Sequence, residues 1–353
     1  MREPLLLAID TSCDDTSVAV VRGSRVLSNI ISSQHELHAE YGGVVPILAK
    51  RAHAERIDQC VALSLEKAGV NLEALDAIAV TIGPGLAIAL EVGIKTAKEL
   101  AKKYDKKLIA INHMEGHLYS VLCSPAESFQ FVHDQFSAIV LLVSGGHTEL
   151  HFMRDNGVYE LLGETLDDAV GEAFDKVARM LGLGYPGGAV LAQLAEKGND
   201  RAFEFPIPLR DRKNCEFSYS GLKASVSRQI QLLQQESPLS KTQIQDIAAS
   251  FQRVAILHLM ERVEYATRLV HPKTIICGGG VSANLLLRKK LRAFAKSQKM
   301  NVYFPRSKRY AMDNAAMIGV AGSVAFRLKR FSEPNTIDRD PTLPLTEVRY
   351  ERT

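Results

Sequence analysis

Two segments of the chain share one design, in which an apolar strand enters a short polar turn and leaves it as a second apolar strand. Given as strand, turn and strand, they are residues 5–9, 10–16 and 17–21, and residues 138–143, 144–148 and 149–153. Turns of this kind present backbone N–H groups and hydroxyls that can hold phosphate oxygens. The two segments therefore predict an internal duplication, and a pair of such turns suits a nucleotide polyphosphate.

A third segment ends an apolar strand in glycines. Residues 275–277 are apolar, Gly278, Gly279 and Gly280 follow, and Asn284 precedes a predicted helix. Glycines let a ligand approach the backbone closely, and the N-terminus of a helix favours an anion. Taken alone, each of the three segments is a weak signal.

The stretch from His113 to His117 indicates a metal site, because two histidines four residues apart on a helix share a face and can bind one ion. Asp313 follows a predicted strand, residues 301–305, and opens a predicted helix, residues 315–326, so it can supply a third ligand. Mixed nitrogen and oxygen ligands suit zinc or iron, with positions left for water or a substrate oxygen. The alternative is that the histidines are ordinary helix residues and that Asp313 caps its helix.

The order of the three segments resembles that of the actin, hexokinase and Hsp70-like nucleotide-binding superfamily. Within it, seven further strings, in unbroken order between residues 5 and 327, closely resemble the bacterial and organellar tRNA N6-adenosine threonylcarbamoyltransferases. These strings are residues 12–16, 83–86, 113–117, 143–148, 171–176, 185–188 and 220–223.

This resemblance implies an α/β fold of the two-lobed actin-like or Hsp70-like ATPase type, with duplicated ribonuclease-H-like lobes. The expected first lobe joins residues 1–122 to the returning C-terminal helix and tail, residues 309–353. Residues 123–308 form the expected second lobe, with the nucleotide and the metal between the lobes. The linking residues 124–135 are expected to be a surface connection.

The activity implied by the resemblance is transfer of a threonylcarbamoyl group from threonylcarbamoyl-AMP to N6 of the adenosine 3′ of the anticodon, in tRNAs that read codons beginning with A. The implied cofactor is one Fe²⁺ or Zn²⁺ ion, and ATP or ADP is an alternative occupant of the nucleotide site. The implied metal ligands are His113, His117 and Asp313. The implied contacts to the adenylate are Leu142, Val143, Ser144, Gly145, Gly146, Asp175, Gly188 and Asn284.

No nucleophilic side chain is needed for this transfer, and the acceptor of the N6 proton stays open among four carboxylates. They are Asp14, Asp15, Glu115 and Glu172. Three of the adenylate contacts also have purely structural alternatives. Gly188 can belong to a turn after Pro186, Asp175 can be a solvated helix carboxylate, and Asn284 can be a helix cap.

The chain departs from the family pattern at four positions. Asp10 and Asp15 stand where the family usually has Glu, which shortens both carboxylates by one methylene. Ile47 replaces a Glu in the string 45–53, and Glu91 lies in a stretch that is normally apolar. None of the four is an implied metal ligand.

Two further segments lack the periodicity of helices and strands. Residues 199–219 are irregular and charged, which predicts either an insertion that lines the site entrance or a plain surface loop. The segment from Phe331 onward contains three prolines among alternating charges and is expected to be a loosely attached tail.

Composition restricts the class of protein. With 353 residues, 46% of them hydrophobic, the chain can bury a large core and divide into two domains. The five cysteines are dispersed without a Cys-x-x-Cys pair, which argues against a disulfide framework and against a thiolate metal site. No apolar run approaches the roughly 20 residues that span a bilayer, so we expect a cytoplasmic protein that does not associate with membranes.

A net charge of +3 is only mildly basic, but three local clusters can meet tRNA phosphates. The cluster nearest Asp313 is the preferred one, and the alternative for each is a solvated face or favourable helix-end charge. The clusters are Lys98, Lys102, Lys103, Lys106 and Lys107; Arg288, Lys289, Lys290 and Arg292; and Arg306, Lys308 and Arg309.

The resemblance implies two kinds of protein partner besides tRNA. Bacterial members work with a catalytically silent paralogue and a small ATPase, whereas mitochondrial relatives are homodimers. Three rival functions are a metalloprotease, a small-molecule kinase of the same superfamily and a regulatory nucleotide-binding scaffold. The metalloprotease is disfavoured because zincins place the catalytic Glu directly after the first His, whereas Glu115 is the third residue of this motif.

Overall fold

The same five-stranded mixed sheet is built twice along the chain. The computed structural model describes residues 2–39, 41, 43–126 and 137–347. The chain divides into unit 1, Met1–His133 with Pro305–Thr353, and unit 2, Asp134–Phe304. Of the predicted surface connection, residues 127–135 lie outside the described residues. Its first residue, Ser124, is buried and bonded to the backbone of Ser24 and Val26.

Both sheets begin with an antiparallel meander of three strands and add two parallel strands beside the first. The strands of unit 1 are β1 (Leu5–Asp10), β2 (Asp15–Arg22), β3 (Arg25–Ser33), β4 (Ala77–Gly83) and β5 (Lys107–Asn112), in the order β3-β2-β1-β4-β5. Those of unit 2 are β6 (Ala138–Val143), β7 (Thr148–Asp155), β8 (Val158–Glu164), β9 (Thr274–Gly278) and β10 (Asn301–Tyr303), in the order β10-β9-β6-β7-β8. Reading the second order from its other end gives the first, so the predicted duplication is confirmed.

Helices join the strands in both units. Unit 1 contains α1 (His35–Ala39), α2 (Pro46–Ala68), α3 (Ala87–Lys103) and α4 (His113–Tyr119). Unit 2 contains α5 (Val170–Met180), α6 (Gly188–Ala195), α7 (Ser220–Gln234), α8 (Lys241–Val270) and α9 (Leu285–Ser297). The chain then returns to unit 1 as α10 (Lys308–Ala311) and α11 (Ala315–Arg327). No helix in the described part of the chain is both long and apolar enough to cross a bilayer.

The central strand β1 is buried along its whole length because it is covered on both faces. Leu5, Leu7 and Ile9 belong to the core that β1 shares with α2 and α3. On the other face lies α11, which approaches closely because it carries glycine at the contacts. A Cβ at Gly319 would lie 2.8 Å from a methyl of Val21, too close for a real contact. This packing fixes the start of α11 next to the ends of β1 and β2.

The predicted loosely attached tail is wrong for the described residues, because the segment after α11 runs along unit 1 as a bonded strap. Ser332 N donates to Leu108 O at 2.8 Å, and Asp340 N donates to Ile82 O at 2.8 Å. Ile337 lies in the core of unit 1, and Leu345 is 2% exposed. Extended backbone that bonds to strand ends needs no helical or strand periodicity, so the composition of the segment did not reveal its attachment.

The irregular segment 199–219 has a packed interior face rather than being a plain surface loop. Arg262 of α8, only 3% exposed, donates hydrogen bonds to the carbonyls of Leu209, Arg212 and Asn214. Phe217 is fully buried in the core of unit 2. A buried guanidinium satisfied by backbone carbonyls therefore holds this segment against α8.

Acid is expected to destabilise unit 2 through His258, whose Nε2 accepts a hydrogen bond from Ser218 N at 3.2 Å. Burial, with a contribution from Arg262, lowers the pKa of His258 from 6.5 to about 3. The unfolded chain therefore binds a proton between these values while the folded chain does not, and this stability is lost as pH falls below 6.5. At pH 5 the expected loss is about 2 kcal/mol.

The measurement is the free energy of urea unfolding at pH 7.5 and pH 5 for wild type and for His258→Gln, which keeps a hydrogen-bond acceptor. The variant should show a smaller acid-induced loss. An identical loss in both proteins would assign the acid sensitivity to other groups.

Candidate metal and nucleotide sites

The two histidines of unit 1 are placed by the junction of β5 and α4. Asn112, the last residue of β5, accepts hydrogen bonds from Met114 N at 2.8 Å and Glu115 N at 3.3 Å, so the helix begins immediately after the strand. His113 is then the first helical residue, and His117 lies one turn later on the same face. Both side chains are buried, at 6% and 1% exposure.

The carboxylate of Asp313 stands just before α11 and does not cap it. Asn314 is the cap, since its Oδ1 accepts a hydrogen bond from Met317 N at 3.3 Å, and Ser17 Oγ accepts one from Ala315 N at 2.8 Å. The alternative in which Asp313 serves as the helix cap is therefore excluded. Its side chain is instead beside the two histidines.

Close packing of α4 on α11 brings the three side chains together. A Cβ at Gly116 would lie 2.7 Å from Ile318 Cδ1, so the glycine between the histidines permits this approach. Asp313 Oδ1 is 3.4 Å from His113 Nε2 and 3.1 Å from His117 Nε2. The three possible ligand atoms all lie within 4.8 Å of one another.

These distances fit three ligands of one cation. Two ligand atoms that are each roughly 2.1 Å from an ion, at a tetrahedral angle, lie about 3.4 Å apart. His117 Nε2 is buried and forms no hydrogen bond even though a carboxylate oxygen lies 3.1 Å away. A buried imidazole nitrogen without a donor or acceptor is costly unless a cation satisfies it. The three residues could therefore hold one divalent metal ion with a coordination position to spare.

Asp10 is a fourth polar group at this site. It is 2% exposed, and its Oδ1 lies 3.6 Å from His113 Nδ1. Neither atom has a hydrogen-bond partner. Burial alone would lower the pKa of His113, but Asp313 and Asp10 outweigh it and raise the pKa to about 10. A cation that binds His113 would therefore compete with a proton for the ring.

Removing the charge of Asp10 is expected to weaken metal binding without unfolding the chain. A carboxylate behind a histidine ligand raises its basicity and orients its ring, and losing such a group costs about 10–100-fold in metal affinity. The test is competition between Asp10→Asn and a chelator for Zn²⁺, with the exposed Asp338→Asn as control. Equal affinities for Asp10→Asn and wild type would remove Asp10 from the site.

The four carboxylates proposed to accept the N6 proton are not equally free. Glu115 is fully buried and pairs with Arg330 through both oxygens, at 3.0 and 2.9 Å. Glu172 pairs with Lys176 at 2.7 Å. Asp14 and Asp15, in the first turn of unit 1, are the two candidates that are not held in either of these ion pairs. Burial is the main cause that raises the pKa of Asp15 to about 6.

His53 supports this first turn and was not singled out from the sequence. Its Nδ1 lies 2.8 Å from Thr16 Oγ1, and its Nε2 donates to Cys13 O at 3.0 Å. Burial lowers its pKa, so the ring is neutral and can serve as donor and acceptor at once. The string 45–53 contained His53, but only the fold shows that it reaches the turn from α2.

The eight predicted adenylate contacts all lie in unit 2, around the carboxyl ends of β6 and β9. Leu142 and Val143 are fully buried within β6, where they support the turn that follows. Gly145 and Gly146 are exposed, and a Cβ on either would meet no atom within 4 Å. Ser144 Oγ accepts a hydrogen bond from His147 N at 3.1 Å. The turn thus has an open backbone surface of the kind that binds anions.

Asp175, Gly188 and Asn284 take part in helix starts. Asp175 Oδ1 accepts hydrogen bonds from Gly187 N at 3.0 Å and Gly188 N at 2.8 Å, so it caps α6 and is not simply a solvated carboxylate. Asn284 caps α9 through Leu287 N at 3.0 Å and donates to Gln252 Oε1 at 2.7 Å. These bonds hold the starts of α6 and α9, where helix N-termini favour phosphate.

Of the four departures from the family pattern, Glu91 has a partner in the fold. Its carboxylate lies 3.0 Å from Lys50 Nζ, with both side chains nearly half-exposed, so the pair links α2 to α3 weakly. Ile47 is 77% exposed and lies in the first turn of α2. Neither residue is part of the histidine cluster.

Comparisons with known proteins agree with this arrangement. A family model described as tRNA N6-adenosine threonylcarbamoyltransferase matches residues 25–320. A curated protein of that name from Gloeothece citriformis is 42% identical over 348 residues, covering 97% of this chain and 98% of the relative. Another from Symbiobacterium thermophilum is 46% identical over 330 residues, covering 93% of each.

Solved structures of low identity share the fold. HypF from T. kodakarensis aligns with a TM-score of 0.58 at 17% identity over 92% of this chain, and this chain spans about half of HypF (48%). The activator of the 2-hydroxyisocaproyl-CoA dehydratase from Clostridium difficile, with bound ADPNP, aligns with a TM-score of 0.51 at 14% identity, over 93% of this chain and 98% of that one. The predicted actin-like α/β fold class is thereby confirmed.

The relatives also confirm the resemblance inferred from the seven strings. Their similarity extends over nearly the whole of both chains and is not confined to one domain. This chain belongs to the tRNA N6-adenosine threonylcarbamoyltransferase family.

Proposed function

We propose that this enzyme transfers the threonylcarbamoyl group from threonylcarbamoyl-AMP to N6 of the adenosine 3′ of the anticodon, in tRNAs that read codons beginning with A. The observation that carries the proposal is the group His113, His117 and Asp313, in which both histidines are buried and the spacing suits metal ligands, in a chain whose relatives bear this activity in their name.

The group formed by His113, His117 and Asp313 holds one Fe²⁺ or Zn²⁺ ion in this proposal. A bound divalent cation supplies Lewis-acid stabilisation of the negative charge on carbonyl or phosphate oxygens. The fold holds the two histidine side chains in place, because both are buried and Asp10 lies behind His113. Their position determines where a bound ion would stabilise the charge. The metalloprotease alternative needs a free Glu beside the histidines, whereas Glu115 is buried against Arg330.

The adenylate is proposed to bind unit 2 through eight residues. The open backbone of Gly145 and Gly146 suits the phosphate, and Asp175 suits a ribose hydroxyl. The full set is Leu142, Val143, Ser144, Gly145, Gly146, Asp175, Gly188 and Asn284. ATP or ADP would use the same contacts.

The transfer replaces one bond of the carbamoyl carbon with another and moves one proton. The N6 amine attacks the carbamoyl carbon, the bond from that carbon to the phosphate oxygen breaks, and AMP leaves with the electron pair. The proton lost from N6 passes to a carboxylate of the first turn, Asp14 or Asp15. Asp15 suits this role because a base with a pKa near the working pH is the most effective.

The proposed setting is the cytoplasm, with tRNA as substrate. Two assemblies are open: one with a catalytically silent paralogue and a small ATPase, and a homodimer. The reaction described next distinguishes the two assemblies when the paralogue and the small ATPase are omitted in turn. A homodimer would need neither of these two proteins.

The test is a reconstituted reaction. The purified chain is incubated with tRNA, threonine, bicarbonate, ATP, the adenylate-forming enzyme and the candidate partners, and the modified nucleoside is quantified by mass spectrometry. The matched control is the same tRNA with guanosine in place of the adenosine 3′ of the anticodon. Product on the first tRNA alone is expected. No product on either, with partners that are active with another transferase, would favour the scaffold or kinase alternative.

A further inference from the structure

Helix α9 and the turn after it carry five exposed cations that pair with no acidic side chain among the described residues. Residues 285–299 contain six Lys or Arg residues and no Asp or Glu. Five of the six form what we call the α9 basic surface, and all five are exposed. They are Lys289, Lys290, Arg292, Lys296 and Lys299. None of them forms an ion pair within the part of the chain that the structure describes.

The spacing places three of these charges on one side of the helix. Lys289, Arg292 and Lys296 follow one another at three and four residues, which is the spacing of a single helix face. Leu287 and Leu291 on the opposite side are fully buried in the core of unit 2. The cations therefore form a stripe about 10 Å long from Lys289 to Lys296, directed away from that core.

Local stability does not account for this stripe. Like charges at three- and four-residue spacing repel one another, and cations in the first half of a helix oppose its dipole. Only Lys296, in the last turn, gains from the dipole. Charges that cost stability and have no acidic partner in the described part of the chain point to an external polyanion.

The sixth cation, Arg288, has a different role. Its Nε donates to Ser282 O at 2.6 Å, so it holds the turn before α9. Arg288 and Arg292 also lie over the ring of Phe304, at 5.1 and 5.3 Å from its centroid. This stacking orders Arg292 on the surface, and an ordered guanidinium loses less entropy when it binds a phosphate.

We infer that the α9 basic surface binds the phosphate backbone of the tRNA substrate. This rests on the proposed function for the identity of the polyanion. Phosphate contacts are independent of base sequence, so the surface contributes affinity and orientation rather than choice of adenosine. The sequence had favoured the cluster nearest Asp313 for this contact, but there Arg309 donates to Asn29 O and is engaged within the fold.

The test compares two double variants, each of which replaces two lysines with glutamates, so that the net charge changes equally in both. Lys289→Glu with Lys296→Glu alters the proposed surface, and Lys197→Glu with Lys241→Glu alters two exposed lysines of unit 2 that belong to none of the three basic clusters. Binding of purified tRNA is measured without the other reaction components, across a range of salt concentrations. The α9 variant should bind about tenfold more weakly or worse, with a log–log salt slope reduced by about two, while the control stays near wild type.

Two further measurements separate a failure of this inference from a failure of the proposed function. The tRNA with guanosine in place of the modified adenosine should lose affinity by the same factor in the α9 variant, because phosphates carry no base identity. In the reconstituted reaction, the variant should raise KM for tRNA and leave kcat near wild type. Wild-type affinity and salt slope in the α9 variant, or an equal loss in the control, would overturn the inference. Failure of the transfer reaction alone would leave the binding result standing.

Discussion

Replacing His117 with alanine is expected to lower the affinity for Zn²⁺ or Fe²⁺ by more than about 100-fold and to reduce threonylcarbamoyl transfer in parallel. Loss of a group that only supports a ligand costs up to about 100-fold, so loss of a ligand itself should cost more. His117 is 1% exposed and its Nε2 has no hydrogen bond, so the alanine variant loses no hydrogen bond from that atom. The measurements are metal content after purification and competition with a chelator.

The control for this prediction is another buried histidine. His151 is 2% exposed and pairs with Glu149 at 2.8 Å in unit 2. His151→Ala therefore creates a comparable cavity without touching the proposed ligands, and it should retain metal. If His117→Ala binds metal as tightly as wild type, the proposed ligand set is wrong, whatever happens to activity.

The strands could be predicted from the sequence because their signal is local. The predicted strand at 138–143 coincides with β6, and the one at 5–9 coincides with β1 to within one residue, since each is a continuous apolar run bounded by turn residues. Helix α2 begins at Pro46, because proline is favoured in the first turn of a helix. Strand β10 ends at Tyr303 rather than at Pro305.

The details of the histidine cluster could be predicted only in part. The spacing from His113 to His117 is a local signal, and the distant Asp313 followed from the resemblance and from its position before a helix. That Asn314 is the cap of α11, and that Asp10 lies behind His113, depend on the packing of β1, α4 and α11. Such contacts have no periodic signal in a single sequence.

The bonded strap after α11 shows the same limit. Its hydrogen bonds join Ser332 to Leu108 and Asp340 to Ile82, pairs that are more than 200 residues apart in the chain. Prolines and alternating charges are typical of a surface tail, and they are equally compatible with an extended segment that bonds to strand ends. Only the partner strands distinguish the two.

Replacing Arg330 with methionine is expected to destabilise unit 1 strongly. Its guanidinium, 11% exposed, forms two parallel hydrogen bonds with the fully buried carboxylate of Glu115. Arg330→Met would leave that carboxylate buried without its cation, which typically costs about 3–5 kcal/mol. The measurement is the free energy of urea unfolding at neutral pH.

The double variant Glu115→Met with Arg330→Met separates two contributions to the free energy of unfolding: the buried charge left without a partner, and the altered packing of the side chains. Replacing both partners with apolar side chains removes the uncompensated charge, so the double variant should be clearly more stable than Arg330→Met alone. Equal stabilities of the single and double variants would mean that Glu115 is not held as a buried carboxylate.

Because Glu115 lies between the two histidines of α4 and Arg330 follows α11, the pair also ties together the two helices that bring His113, His117 and Asp313 into contact. Weaker metal binding in Arg330→Met, restored in part by the double variant, would show that this tie sets the geometry of the ligands.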